Sequence, residues 1–94
     1  MIHIALAYDV VEDRRRRRFY KRLHRWLVAV QKSVFEGRVG TVERQKIREL
    51  IVRELDLATD RVRLYPMCTN CRGAIETWGP DGPIHDIDEP IVIG

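Results

Sequence analysis

The sequence predicts an α+β domain, and three observations carry that prediction. Residues 2–9 form an apolar run whose alternating sets, Ile2/Ile4/Leu6 and His3/Ala5/Ala7, are both mostly apolar, as in a strand covered on two faces. Residues 13–27 and 41–57 repeat apolar side chains at helical spacing. Residues 28–38 and 60–67 are rich in β-branched and aromatic side chains, the second with period-two alternation. The order is strand, helix, one or two strands, helix, strand. That is the ferredoxin-like βαββαβ plan, an antiparallel sheet with both helices on one face.

The first strand ends on Tyr8 and Asp9, where the chain leaves the sheet, and Asp13 is placed to N-cap the helix that follows. Phe19, Leu23, Trp26 and Leu27 form that helix's inward stripe. The five arginines Arg14 to Arg18 crowd the positive end of its macrodipole, at a cost of about 0.3–1 kcal/mol each. Asp9, Glu12, Asp13 or a bound polyanion would offset that. At roughly 100° per residue, Arg15 and Arg16 fall on the core side, Arg14 and Arg17 point outward, and Arg18 lies on a flank. His24 falls on the helix surface, and His3 lines the core.

Residues 28–38 read as one bent strand or two short strands meeting at Lys32 and Ser33, broken by Gly37 and Gly40. Thr41 caps the second helix, whose inward side is Ile47, Leu50, Ile51 and Leu55 with Glu54 at the edge. Val62 and Leu64 alternate with Arg61, Arg63 and Tyr65 in a half-buried strand ending at Pro66, and residues 74–78 read as another. Pro80-Asp81-Gly82-Pro83 is a turn by composition. The terminal Ile91-Val92-Ile93 is too apolar to hang in water and should add to a sheet edge, of this chain or of a second copy.

Length and charge narrow the function. The 94 residues make one domain, without repeat or linker, and no apolar run is long enough to span a bilayer. No signal-peptide pattern opens the chain, so the cytoplasm is the expected compartment. All 17 Lys and Arg lie at or before Arg72, with nine acids among them, a surplus of +8; Glu76, Asp81, Asp86, Asp88 and Glu89 follow with no basic residue. A basic body with an acidic end points to nucleic acid for the first and a protein contact for the second, or to a solvated surface rich in ion pairs. No Gly-rich phosphate loop, Ser-His-Asp set or HExxH motif is present, nor the basic-aromatic strand signature of sheet-stacking RNA modules.

Three constellations remain. Cys68-x-x-Cys71 is half a zinc site, or two reduced thiols in a tight turn, and His85, Asp86 and Asp88 are either a cation site or solvated surface. Asp9, a lone carboxylate at a strand's end facing a basic helix, either pairs with an arginine or serves metal-and-phosphate chemistry. One carboxylate is a weak magnesium site, whereas two copies of Asp9 across a twofold axis would share a cation.

The segments ALAYDV, EDRRRRR, VQKSVFEG, VRLYPMCTNC and IVIG closely resemble the small CRISPR-associated adaptation proteins, the Cas-two family, nearly end to end. The resemblance implies a homodimer in which about residues 79–94 exchange a C-terminal strand onto the partner's sheet. It implies one Mg2+ per dimer held by the two Asp9 side chains, and endonuclease activity on single-stranded RNA or double-stranded DNA. Family site positions map onto Tyr8, Asp9, Arg16, Arg18, Ser33 and Phe35, with Arg16 and Arg18 on the phosphate and Phe35 positioning a base.

It further implies a complex with the Cas-one integrase, in which the dimer scaffolds duplex DNA for insertion as a new spacer. Arg14, Arg15, Arg17, Arg22, Arg25, Lys32 and Arg38 would then hold nucleic-acid phosphates. Ala29 stands where many relatives carry arginine, leaving Arg15, Arg38 or Lys32 to take that role. The charge split fits the scaffold better than the nuclease. A stand-alone RNA-cleaving toxin of the same fold is the remaining alternative.

Overall fold

The computed structural model describes residues 1–67 and 75–80. Strand β1 (Ile2–Asp9) is followed by helix α1 (Asp13–Leu23), strands β2 (Val28–Gln31) and β3 (Val34–Val39), helix α2 (Thr41–Glu54), and strands β4 (Arg61–Pro66) and β5 (Glu76–Trp78). The strands form one sheet in the order β2-β3-β1-β4-β5, with every neighbouring pair antiparallel. This is the ferredoxin-like arrangement with β5 added beside β4.

Strand β1 is the centre of the sheet because both of its residue sets can be buried. Ile4, Leu6 and Tyr8 join Phe19 and Leu23 of α1 and Ile47, Leu50 and Ile51 of α2 in one core. Ala5 and Ala7 lie on the other face, and Ala7 packs with Val34 and Tyr65. Losing a core side chain such as Leu6 to alanine would cost about 2–5 kcal/mol. His3, expected in the core, instead lies on the helix-free face with its side chain 46% exposed and Nε2 3.6 Å from Glu36. Alternation places it there, near the strand's start, where no helix covers the sheet.

Both helix caps sit one residue before the expected one. Glu12 accepts the Arg15 N–H at 2.7 Å at the start of α1, and Asp13 occupies the first turn. Gly40 caps α2 and donates its N–H to Glu43 at 2.8 Å. Helix α1 also stops at Leu23 rather than Leu27. The N–H groups of Trp26 and Leu27 both bond the Leu23 carbonyl, at 3.0 Å each. That turn buries Leu27 and leaves Trp26 half-exposed. Helix α2 ends at Glu54 rather than near residue 57, because Leu55 is already extended.

Two short strands meet at Lys32-Ser33, the second of the two readings, and β2 carries a bulge between Ala29 and Gln31. Arg48 ties α2 to β5 through Glu76, with Nε to Oε1 at 2.6 Å and Nη2 to Oε2 at 2.8 Å. Gly79 turns the chain with φ +89°, and a Cβ there would lie 1.9 Å from the Asp60 carbonyl oxygen, so only glycine fits. Cys68, Cys71, His85, Asp86, Asp88 and the terminal Ile91–Ile93 segment lie outside the described residues.

Candidate metal and nucleic-acid site

Asp9 closes β1 on the helix-free face, directly across from Arg61 at the start of β4. Arg61 Nη2 donates to Asp9 Oδ2 at 3.0 Å, and both side chains are mostly buried, at 15% and 16% exposed. The carboxylate is therefore paired with an arginine, one that lies 52 positions away rather than in the run that follows it. Among the described residues no cluster of three or more His, Cys, Asp or Glu could hold a metal. One chain thus offers Asp9 as a single hard-oxygen ligand. The donor type suits magnesium, which keeps several waters when a protein offers it few carboxylates.

The adjacent acid, Asp60, is fully buried and went unnoticed in the sequence. It accepts from Arg15 Nε at 2.6 Å and Nη2 at 3.1 Å, from the Val11 N–H at 3.1 Å and from the Asp56 N–H at 2.9 Å. Burial alone would push its pKa up; the hydrogen bonds from Arg15, Val11 and Asp56 outweigh that and hold it below the usual carboxylate value. The same bond raises the Arg15 pKa. Asp60 and Arg61 therefore grip the β1–α1 connection at two points, Val11 and Asp9, and fix where the first strand's acid stands.

The arginine run divides as its helical phase requires. Arg15 faces Asp60, and Arg16 bends back to donate Nη1 to the Val10 carbonyl at 3.0 Å while Nη2 bonds Asp13. Arg18 turns to α2 and donates Nε to Glu54 at 3.1 Å, beside Arg22 on the other oxygen of that carboxylate. Arg14 and Arg17 are exposed, as are Arg25, Lys32 and Arg38.

Of the residues mapped to the site, Tyr8, Asp9, Arg16 and Ser33 collect at one end of the sheet. Ser33 is buried, and its carbonyl accepts the Tyr8 N–H at 3.1 Å. Arg18 belongs to the inter-helix side instead. Phe35 is 0% exposed and lies in an aromatic cluster, 6.0 Å from Tyr8, 5.2 Å from Tyr20 and 5.2 Å from His24 by ring centroid. In this packing Phe35 shapes the floor of the sheet and has no ring face open to a base. Ala29 stands across from Phe35 on β2 and carries no phosphate-holding group.

Comparison with known proteins agrees with this architecture. The family model described as CRISPR associated protein Cas2 matches residues 1–75. The chain is 32% identical over 83 residues to "CRISPR-associated endoribonuclease Cas2 2" of Methanospirillum hungatei, covering 88% of this chain and 92% of that protein. It is 34% identical over 89 residues to "CRISPR-associated endonuclease Cas2 2" of Thermus thermophilus, covering 95% and 93%. Among solved structures, Streptococcus pyogenes Cas2 matches with a TM-score of 0.66 at 29% identity, over 83% of this chain and 100% of that one. A hypothetical protein from Thermus thermophilus matches with a TM-score of 0.69 at 34% identity, over 71% and 82%.

Proposed function

The chain belongs to the CRISPR-associated Cas2 family, and on that premise we propose that it acts as a homodimeric adaptation protein. With the Cas-one integrase it would hold duplex DNA for insertion as a new spacer. The observation that carries this reading is the division of the arginine run. Arg15 and Arg16 are tied into the fold by Asp60, Val10 and Asp13, while Arg14 and Arg17 face solvent with Arg25, Lys32 and Arg38. A nuclease that worked through all five arginines would not lock two of them into loop anchoring. A surface that grips phosphates without reading bases needs only the outward ones.

A second reading, endonuclease activity on single-stranded RNA or double-stranded DNA, has its own support in Asp9 and in the printed names of relatives. The two Asp9 carboxylates of a dimer would hold one Mg2+, which when bound supplies a Lewis acid for a water or a phosphate oxygen. This chain's residues would do the rest. Arg61 holds Asp9 in place, and Arg16, anchored on Val10 and Asp13, presents its guanidinium at the end of β1. The pairing of two copies is carried over from the family resemblance, since Ala5, Ala7 and Val34 of the helix-free face are already buried within one chain.

The deciding experiment measures duplex binding and cleavage on the same preparation. The scaffold reading expects duplex affinity to fall steeply with salt and to weaken in Arg14→Ala/Arg38→Ala. It also expects a complex with the integrase from the same locus. Salt-insensitive binding or no such complex would overturn it. For the nuclease reading, cleavage should require magnesium and vanish in Asp9→Ala. Equal cutting by both proteins, with or without the metal, rules it out.

A further inference from the structure

A groove of about 710 Å³ runs between α1 and α2. Its walls carry Arg17, Arg18, Lys21, Arg22, Arg25 and Arg53, and its apolar lining is Trp26 and Leu50. Among the described residues, the one carboxylate in contact with these cations is Glu54, which is 10% exposed and serves three of them, Arg18, Arg22 and Arg53. Arg17, Lys21 and Arg25 have no carboxylate partner among the described residues. Six like charges around one buried acid repel one another unless an anion enters.

We propose that this groove is a binding site for the phosphodiester backbone of a single nucleic-acid strand, with a base resting on Trp26. Packed helices have axes about 8–10 Å apart, so the groove admits one chain of phosphates and excludes the body of a duplex. Five of its six cations are guanidinium groups, whose planar forks match phosphate oxygens. Glu54 splays Arg18 and Arg22 toward opposite sides of its carboxylate and so pre-sets their spacing. The Arg25 guanidinium lies over one face of the half-exposed Trp26 indole, 5.8 Å from its ring centroid. An aromatic surface beside a basic track is how strands are held without sequence reading.

The inference rests on the function proposed above only in preferring a phosphodiester to other polyanions, and it is independent of Asp9. The test is fluorescence anisotropy with a labelled twelve-residue oligothymidylate and a duplex of the same length. The proteins compared are wild type, Arg17→Ala/Lys21→Ala/Arg25→Ala, Trp26→Leu and Lys46→Ala, each shown to be folded by circular dichroism. The triple variant should bind the single strand at least tenfold more weakly, and its log–log salt slope should fall by about 2, as three phosphate contacts at about 0.7 each imply. Trp26→Leu should weaken single-strand binding about tenfold with the slope unchanged. Lys46→Ala, at an exposed α2 cation outside the groove, should bind as wild type does.

Unchanged affinity in the triple variant overturns the proposal. So does an equal fold-loss for duplex and single strand. If wild type binds duplex and the triple variant keeps wild-type affinity for the single strand, the groove fails and the scaffold stands. If wild type binds no nucleic acid, both fail.

Discussion

The end of the sheet and the groove between the helices use the same residue type for opposite purposes. At the sheet end each acid has its arginine, Asp60 with Arg15 and Asp9 with Arg61, and the pairs are largely buried. Between the helices one acid faces six cations, most of them in water. A matched pair in a low-dielectric setting fixes geometry and leaves its guanidinium little charge to offer a phosphate. An unmatched set in solvent adds little to the fold and leaves attraction to spare. Composition shows 17 basic residues and cannot separate the two kinds; partners can.

Removing Asp60 is the sharpest way to break that contrast. Asp60→Ala would strand the Arg15 charge and leave the Val11 and Asp56 N–H groups unbonded, costing about 3–5 kcal/mol in urea unfolding. Its pH dependence follows from the direction of the shift. The folded carboxyl is held below its unfolded value, so its contribution is complete above about pH 5 and fades as pH falls through 4 toward the lower folded value. Asp60→Asn should therefore flatten the stability profile below about pH 5. A profile identical to wild type would show that Asp60 is not held as described.

Asp9 and Arg61 give a smaller effect, because both retain some contact with water. A double-mutant cycle through Asp9→Asn and Arg61→Gln should yield a coupling of about 1–2 kcal/mol in chemical denaturation. A coupling near zero would place this pair with the solvated cations rather than with Asp60. It would also free Asp9 for a cation without competition from the guanidinium.

The contrast explains what was legible in the sequence. Element order was, because β1, α1 and α2 carry clear period-two and helical patterns, and the orientation of Arg14 to Arg18 followed from helical phase. The caps moved by one residue because glutamates, Glu12 and Glu43, do the bonding where Asp13 and Thr41 have the higher propensity. Nothing between Leu23 and Val28 breaks a helix by composition, so the tight turn onto the Leu23 carbonyl was invisible. Asp60 reads only as the start of the strand 60–67, and its burial was not legible because its partner Arg15 lies 45 positions earlier and three segments must converge to cover it. The groove was missed for the same reason, since Arg53 joins Arg17 and Arg22 only when α2 packs on α1. Local pattern sets elements, and ion-pair identity waits on tertiary contact.

The smallest expected effect probes the unmatched side. Glu54→Gln removes the groove's shared carboxylate while keeping its shape. The three arginines on it are about half-exposed or more, so stability should move by no more than about 1 kcal/mol, far less than at Asp60. The freed charge has a separate consequence. Single-strand binding at low salt should tighten by about two- to fivefold, and its salt slope should steepen by about 0.7 for each arginine that turns to a phosphate. If Glu54 chiefly spaces Arg18 and Arg22, however, affinity should fall although net charge rises. The sign of that change separates a groove that works by charge from one that works by geometry, and a large loss of stability would put Glu54 with the matched pairs instead.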